Sequence, residues 1–403
     1  MRILFVCHRV PFPPKRGGKI RPFNMIRHLG ELGHQVTVAS LARSAAELAE
    51  AAPLSSHCER TLIEVIPGSQ GWLQTVARLA TTQPSSFGYF HSGRLQRRIR
   101  EEMVRTRYDM VICHCSSVAP YVESISGLPK MLDFGDMDSQ KWREYAVSRR
   151  FPLSLGYWLE AVKLERRERS LSRSFDLCTC TTAAELSSLQ ELGIRTPSDW
   201  FPNGVDAAYF SPTDGQYDAN TVCFVGRMDY FPNQQAVLGF CRDVLPLVRA
   251  RRPGVQFIIV GADPPPHIRA LGEISGVQVT GSVPDVRPFV RRAAMTVAPL
   301  LIARGTQNKI LESMAMGVPV VCSPQASGGV DAVAGQHLLV ADKAQEWASS
   351  VCGLLEQPAE RNVLAVAARA RVLSHHSWSA SMTKMSSLIE SLAKSETNEN
   401  LQQ

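Results

Sequence analysis

NTVCFVGRMDYFPNQQAVLGFCRDVLPLVRARRPGVQFIIVGAD, residues 220–263, holds one complete structural repeat. NTVCFVGRM reads as a strand, NQQAVLGFCRDVLPLVRARR as a helix, and VQFIIVGAD as the next strand. The pattern continues through VQVTGSV, MTVAPLL, PVVCSP and HLLVAD, short strands between helices. Upstream the chain has already run through such a series once. RILFVCHRV is a strand, IRPFNMIRHLGELG an amphipathic helix ending in glycine, and QVTVASLA a strand. YDMVICHC and PKMLDFGD are strands around a helical SVAPYVESISG, and the long basic helix SLGYWLEAVKLERRERSLSRSF leads into DLCTCTT. Alternation of this kind predicts α/β architecture with parallel, doubly wound sheets.

A chain of 403 residues is too long for one ordinary core, and the restart marks two domains. The expected division is 1–185, 186–375, and a C-terminal helix with a polar tail, 376–403, that packs back on the first domain. Two such sheets facing each other form a cleft, with ligands beyond the carboxyl ends of the strands.

The apolar share of 44% and charged share of 20% are those of a soluble globular protein. No apolar run reaches the length of a membrane span, and the N-terminus reads as a first strand rather than a signal peptide. Ten scattered cysteines include no paired CxxC motifs, so reduced, buried thiols of a cytosolic protein are expected and no metal site is. The net charge of +7 is uneven: residues 1–180 carry 26 basic and 17 acidic side chains. That half points to phosphate ligands or an anionic membrane surface. No RNA-recognition signature or helix-turn-helix pattern is present, which sets nucleic acid aside.

Four stretches carry chemistry. In PFPPKRGGKIR, Gly17 and Gly18 fall where strand turns to helix, among Lys15, Arg16, Lys19 and Arg21; glycines there let backbone amides approach a phosphate. In FVGRMDY, Arg227 ends a strand and can grip a diphosphate bidentately. In RGTQNKILESMAMGVPVV, residues 304–321, Gly305 and Thr306 open a helix, Lys309 lies one turn in, Arg304 sits at the rim, and Glu312 interrupts an apolar face where it could accept from a ribose diol. In LDFGDMDSQKW, Asp133, Asp136 and Asp138 cluster at a strand end, where they could bind a metal or polarise a hydroxyl, or Asp138 or Ser139 could cap a helix. His8, Arg9 and His114 also end strands; a structural role for His114 is at least as common as a catalytic one.

These motifs resemble family 4 retaining glycosyltransferases. FPNGVDAAYFSP is similar to that family's hinge segment, FVGRMDYFPN to its GR strand end, and GTQNKILESMAMGVPVV to its nucleotide-binding helix. The N-terminal HRVPFPPKRGGKIRPFNMIRHL and LDFGDMDSQKW resemble the subgroup associated with exosortase (PEP-CTERM) exopolysaccharide loci. The resemblance implies a GT-B fold, donor on the second domain and acceptor on the first, and metal-independent hexosyl transfer with retention. It implies no cofactor beyond a UDP- or GDP-linked sugar as substrate. Glu312 would hold the ribose, Arg227 and Lys309 would face the diphosphate beside the amides of Gly305 and Thr306, and Gly17 and Gly18 would approach from the other side. The family's usual second glutamate, eight positions before Glu312, is Arg304 here; its lysine after the GR pair is missing; and the histidine after the LDF-type strand is replaced by Gly135 and Asp136. The expected protein is cytoplasmic, peripheral on the inner membrane, with a saccharide or lipid-linked acceptor in surface glycan synthesis. A nucleotide-sugar epimerase of the same architecture and a non-catalytic membrane-associated scaffold are the alternatives. A dehydrogenase is disfavoured because neither first strand leads into GxGxxG.

Overall fold

The computed structural model describes residues 1–14, 17–213, 215 and 217–401. Among them the chain divides into two compact units, one of residues 1–202 with 381–403 and one of 203–380. The sequence-based boundary at 185 falls short because a seventh strand, 198–200, still pairs with the first sheet. The C-terminal helix Trp378–Leu401 begins in the second unit, and its residues from 381 on belong to the first.

The first sheet contains β1 (Arg2–Cys7), β2 (Gln35–Ala42), β3 (Arg60–Val65), β4 (Met110–His114), β5 (Lys130–Gly135), β6 (Leu177–Cys180) and β7 (Ser198–Trp200). The second contains β8 (Asp218–Val225), β9 (Gln256–Val260), β10 (Val277–Gly281), β11 (Ala293–Ala298), β12 (Val320–Cys322) and β13 (Leu339–Val340). All pairings between neighbouring strands are parallel. Central strands are buried along their length, β4 and β5 completely, because helices cover both faces of a doubly wound sheet.

Strand order fixes where each unit binds. It runs β3-β2-β1-β4-β5-β6-β7 in one sheet and β10-β9-β8-β11-β12-β13 in the other. Each chain winds outward from its first strand, then returns to that strand's other side. The loops after β1 and β4, and those after β8 and β11, therefore diverge and leave a crevice at the carboxyl ends.

Three helices outside the 304–321 stretch differ from the sequence reading. Gly17 and Gly18 are the first residues of the helix Gly17–Glu31, not of the turn before it. SVAPYVESISG forms only a short 3₁₀ turn, Ser116–Tyr121, since Pro120 lacks an amide donor. The helix after β8 is α from Phe231 to Gly239, widens to a π turn over Phe240–Val244, and resumes at Leu245–Arg251. Leu245 N–H reaches back to Phe240 O, next to Pro246, which has no N–H to continue the α ladder.

Candidate functional site

In the second unit, β8 ends in Gly226 and Arg227, and the helix Asn308–Ala315 starts beyond the loop after β11. This helix begins three residues later than its sequence indicated. Gly305 occupies a left-handed conformation, φ +62°, and turns the chain into it. Lys309 reaches across the switch point. Its Nζ donates to Asn233 Oδ1 at 2.6 Å, lies 4.7 Å above the Phe224 ring, and would stand 3.1 Å from a Cβ placed on Gly226. Asn233 is itself fixed by a 2.8 Å bond from Nδ2 to Arg227 O. The side chains of Asn233 and Lys309 thus pack directly on Gly226, where a Cβ would meet Asn233 Nδ2 at 2.7 Å. Asn233 is what holds Lys309 in place. Its spacing from Lys309 of 76 residues hides that partnership in the sequence.

Burial lowers the Lys309 ammonium to about 7, with Glu312 opposing, and raises the Glu312 carboxyl to about 7, with Lys309 opposing. Thr306 Oγ1 is buried with no hydrogen-bond partner, and the Glu312 carboxyl meets only the charge of Lys309 besides the effect of burial. Both polar groups border the helix start, where first-turn amides lack intrahelical acceptors. Arg304 accepts at its carbonyl from Gln307 Nε2 at 3.1 Å. Arg227 is half-exposed and held by Asp229, at 2.7 Å, and Asp263, at 2.5 Å, which raise its pKa. Offering it to a diphosphate requires exchanging those carboxylates.

In the first unit, β1, β4 and β5 end together, and Cys7, His114 and Asp133 are register partners across them. Asp133 does not fit the catalytic acid or base expected of it. It is fully buried and saturated: Arg21 donates twice, both at 2.8 Å, Thr179 Oγ1 at 2.9 Å, and His114 Nδ1 approaches to 2.7 Å. These cations and hydrogen bonds overcome burial and hold its carboxyl well below the usual range. Arg21 is no phosphate ligand either; it stacks 3.7 Å from the Phe201 ring centre and donates to Phe201 O. Asp133 is a positioning residue. A carboxylate only accepts, so His114 carries its proton on Nδ1 and presents Nε2 as its other nitrogen.

His114 lies against His8, ring centres 5.6 Å apart, and a Cβ on Gly18 would stand 3.4 Å from His8 Nε2. Gly18, His8 and His114 therefore line one crevice. Burial and the neighbouring His114 push His8 well below its ordinary value. Lys19 is drawn away: it is buried and paired with Glu47 at 2.7 Å. Lys15 and Arg16 lie outside the described residues. Asp136 is half-buried and accepts from Thr181 Oγ1 at 3.0 Å. Asp138 starts the helix Asp138–Ser148, but neither it nor Ser139 caps that helix; Met137 occupies the cap position. Burial raises the Asp138 carboxyl. Beside this crevice, a pocket of about 300 Å³ is lined by Arg78, His91, Gln96, Ser117, Tyr121 and Arg167, among others. Ser117 is three residues beyond His114, so pocket and histidine share the β4 loop.

Among the described residues, no three His, Cys, Asp or Glu side chains gather as a metal-holding group. No helix there is long and apolar enough to cross a membrane.

Residues 16–209 match the sequence model of Glycosyltransferase Family 4, and residues 219–357 that of Glycosyl transferases group 1. A comparison with curated proteins by sequence finds no match. Among solved structures, the chain resembles a sucrose-phosphate synthase from Thermosynechococcus elongatus, with a TM-score of 0.74 at 16% identity over 98% of this chain and 100% of that one. Anabaena Alr3699/HepE in complex with UDP-glucose gives 0.66 at 15% identity, covering 97% and 100%. An α,α-trehalose 6-phosphate synthase from Burkholderia multivorans gives 0.64 at 13%, covering 98% and 99%. Likenesses this distant establish the fold, a GT-B pair of Rossmann-like domains.

Proposed function

We propose that this chain, a glycosyltransferase of the family 4 type, moves a hexosyl group from a nucleoside diphosphate sugar to a saccharide or lipid-linked acceptor. Transfer proceeds with retention and without a metal, in the synthesis of exopolysaccharide or another surface glycan. The enzyme works in the cytoplasm, peripheral on the inner membrane. The observation that carries this is the arrangement around Lys309: a cation held by Asn233 against the Gly226 backbone, with Glu312 one turn further along the same helix.

In this reading the diphosphate lies between Lys309, the turn at Gly226 and Arg227, and the amides that follow Gly305. Glu312 accepts hydrogen bonds from the ribose diol. As the anomeric C–O bond breaks, negative charge grows on the departing diphosphate, and Lys309 and Arg227 stabilise it where it develops. The acceptor hydroxyl attaches to the face the diphosphate left and gives its proton to the departing diphosphate oxygen. His114, oriented by Asp133, and Asp136 serve the first-unit side of the reaction, with the amides at Gly17 and Gly18. Uridine is the favoured base because Anabaena HepE, of the same fold, is known in complex with UDP-glucose.

The test is thermal unfolding with UDP, GDP, ADP and dTDP, each with and without EDTA. Ligand at a hundred times its dissociation constant adds about 2.7 kcal/mol, a shift of several degrees. The expected result is a shift with UDP that EDTA leaves unchanged and that Glu312→Ala abolishes. No shift with any nucleotide overturns the donor site.

A further inference from the structure

The first unit carries an apolar surface that its fold does not use. Helix Gly68–Ala77 turns its two-glycine approach inward: a Cβ on Gly71 would meet the Tyr89 ring at 2.9 Å, and one on Gly88 would meet Gln74 O at 2.6 Å. That contact fixes which face is covered. Trp72, Val76 and Leu79, spaced to share a neighbouring face, are 58–62% exposed, with the Trp72 ring edge-on to Tyr89, and Leu73 beside them is 72% exposed.

A second helix joins this face. Leu155 and Leu159 are exposed on helix Leu153–Ser172, with Trp158 next to them. Lys163 follows Leu159 by one turn and donates from Nζ to Leu79 O at 2.8 Å, so the two exposed faces adjoin. Glu160 locks the arrangement from beneath by accepting from Ser85 N–H and Ser86 N–H, at 2.9 and 2.8 Å. The hairpin between helices 138–148 and 153–172 ends in Val147 and Phe151, 90% and 78% exposed. Large apolar side chains gathered this way mark an interaction surface.

Charge identifies the partner. Residues 65–92, which include helix 68–77, contain Arg78 and no Asp or Glu. Arg150 is exposed at the hairpin tip, and Arg166 is exposed seven residues after Leu159, on the same face. On helix 153–172, Glu160 and Glu168 are buried and Glu165 is paired with Arg143 and Arg169, so they do not offset these cations at the surface. Exposed tryptophan and leucine rimmed by arginine, with acids withdrawn, complement an anionic lipid surface. Arg78 lines the 300 Å³ pocket while the next residue, Leu79, stands on the apolar face.

We infer that the outer faces of helices 68–77 and 153–172, with the hairpin tip at Phe151, dock this chain on an anionic lipid leaflet. This deepens the proposed membrane location and rests on that reading only for its purpose, which is to bring the pocket beside Arg78 to a lipid-linked acceptor.

The experiment is co-sedimentation of the full chain with vesicles of phosphatidylcholine alone and of phosphatidylcholine with phosphatidylglycerol. Binding is expected to the anionic vesicles, weakened by salt, with a blue shift of tryptophan fluorescence. A Trp72→Ser, Phe151→Ser, Trp158→Ser triple variant should lose at least about tenfold in partitioning. Arg150→Ala and Arg166→Ala should each lose roughly fivefold. The triple variant should keep its unfolding temperature and its nucleotide-induced shift, since these side chains are exposed and belong to the unit that does not carry the donor helix. Equal partitioning of wild type and triple variant overturns the assignment. So does a wild-type dimer without lipid that the triple variant turns into monomer, which gives the face to a second copy. Vesicle binding without any nucleotide shift supports docking and rejects the donor site instead.

Discussion

Lys309 and Glu312 are two opposite charges on one helix that burial drives toward their neutral forms near the same pH. A diphosphate needs Lys309 protonated, and a lysine lowered to about 7 loses that proton as pH rises above 7. A ribose diol is best accepted by ionised Glu312, which a carboxyl raised to about 7 loses as pH falls below 7. Nucleotide affinity is therefore expected to peak near neutrality. Titration calorimetry across pH should show the alkaline limb flatten in Lys309→Arg and the acid limb flatten in Glu312→Gln. Asp133 tests the opposite case, a carboxylate whose loss is structural. Asp133→Asn leaves Arg21 buried without its counter-charge and should cost about 3–5 kcal/mol in urea unfolding. His114→Gln keeps the Arg21–Asp133 pair, should cost only about 1 kcal/mol, and should still lose turnover.

Between elements, buried carboxylates act as fasteners. Glu168 is fully buried on helix 153–172 and accepts from Ser139 N–H in the first turn of helix 138–148, at 3.0 Å. Burial raises its carboxyl to about 8, so the folded protein keeps a proton that the unfolded chain releases near the ordinary glutamate value. The folded state binds more protons between those two pH values, and stability drains away as pH rises from about 4.5 through 8. Glu168→Gln, which holds the same shape without a titrating proton, should flatten the fall in melting temperature over that window. A slope equal to that of wild type would show that Glu168 ionises freely in the folded chain.

At the scale of the molecule, the last helix ties the end of the chain to its beginning. Met382, Met385 and Ile389 are buried, Lys384 pairs with Asp199 at 3.0 Å, and Ser386 Oγ meets His28 Nε2 at 2.9 Å. Ending the chain at residue 380 removes three apolar side chains worth about 1.5–3 kcal/mol each from the first unit alone. Calorimetry should then show one transition moved down, and the transition that UDP raises left in place. A single transition displaced as a whole would show that the units unfold together. The two arrays, their parallel strands and the glycine, lysine and glutamate of the 304–321 stretch were legible in the sequence because period, turn residues and local spacing are written within a few residues of one another. The boundary at 202, the saturation of Asp133, the capture of Lys19 by Glu47 and the holding of Lys309 by Asn233 were not. Each joins residues from 19 to 112 positions apart or depends on which strand completes a sheet edge, and a one-dimensional pattern does not encode which distant partner satisfies a buried charge. Sequence alone thus determined the architecture and the chemistry available at the strand ends. Tertiary structure decided which charges hold the fold together and which stay free to meet a ligand, because burial makes every unpaired charge costly and only packing reveals its partner.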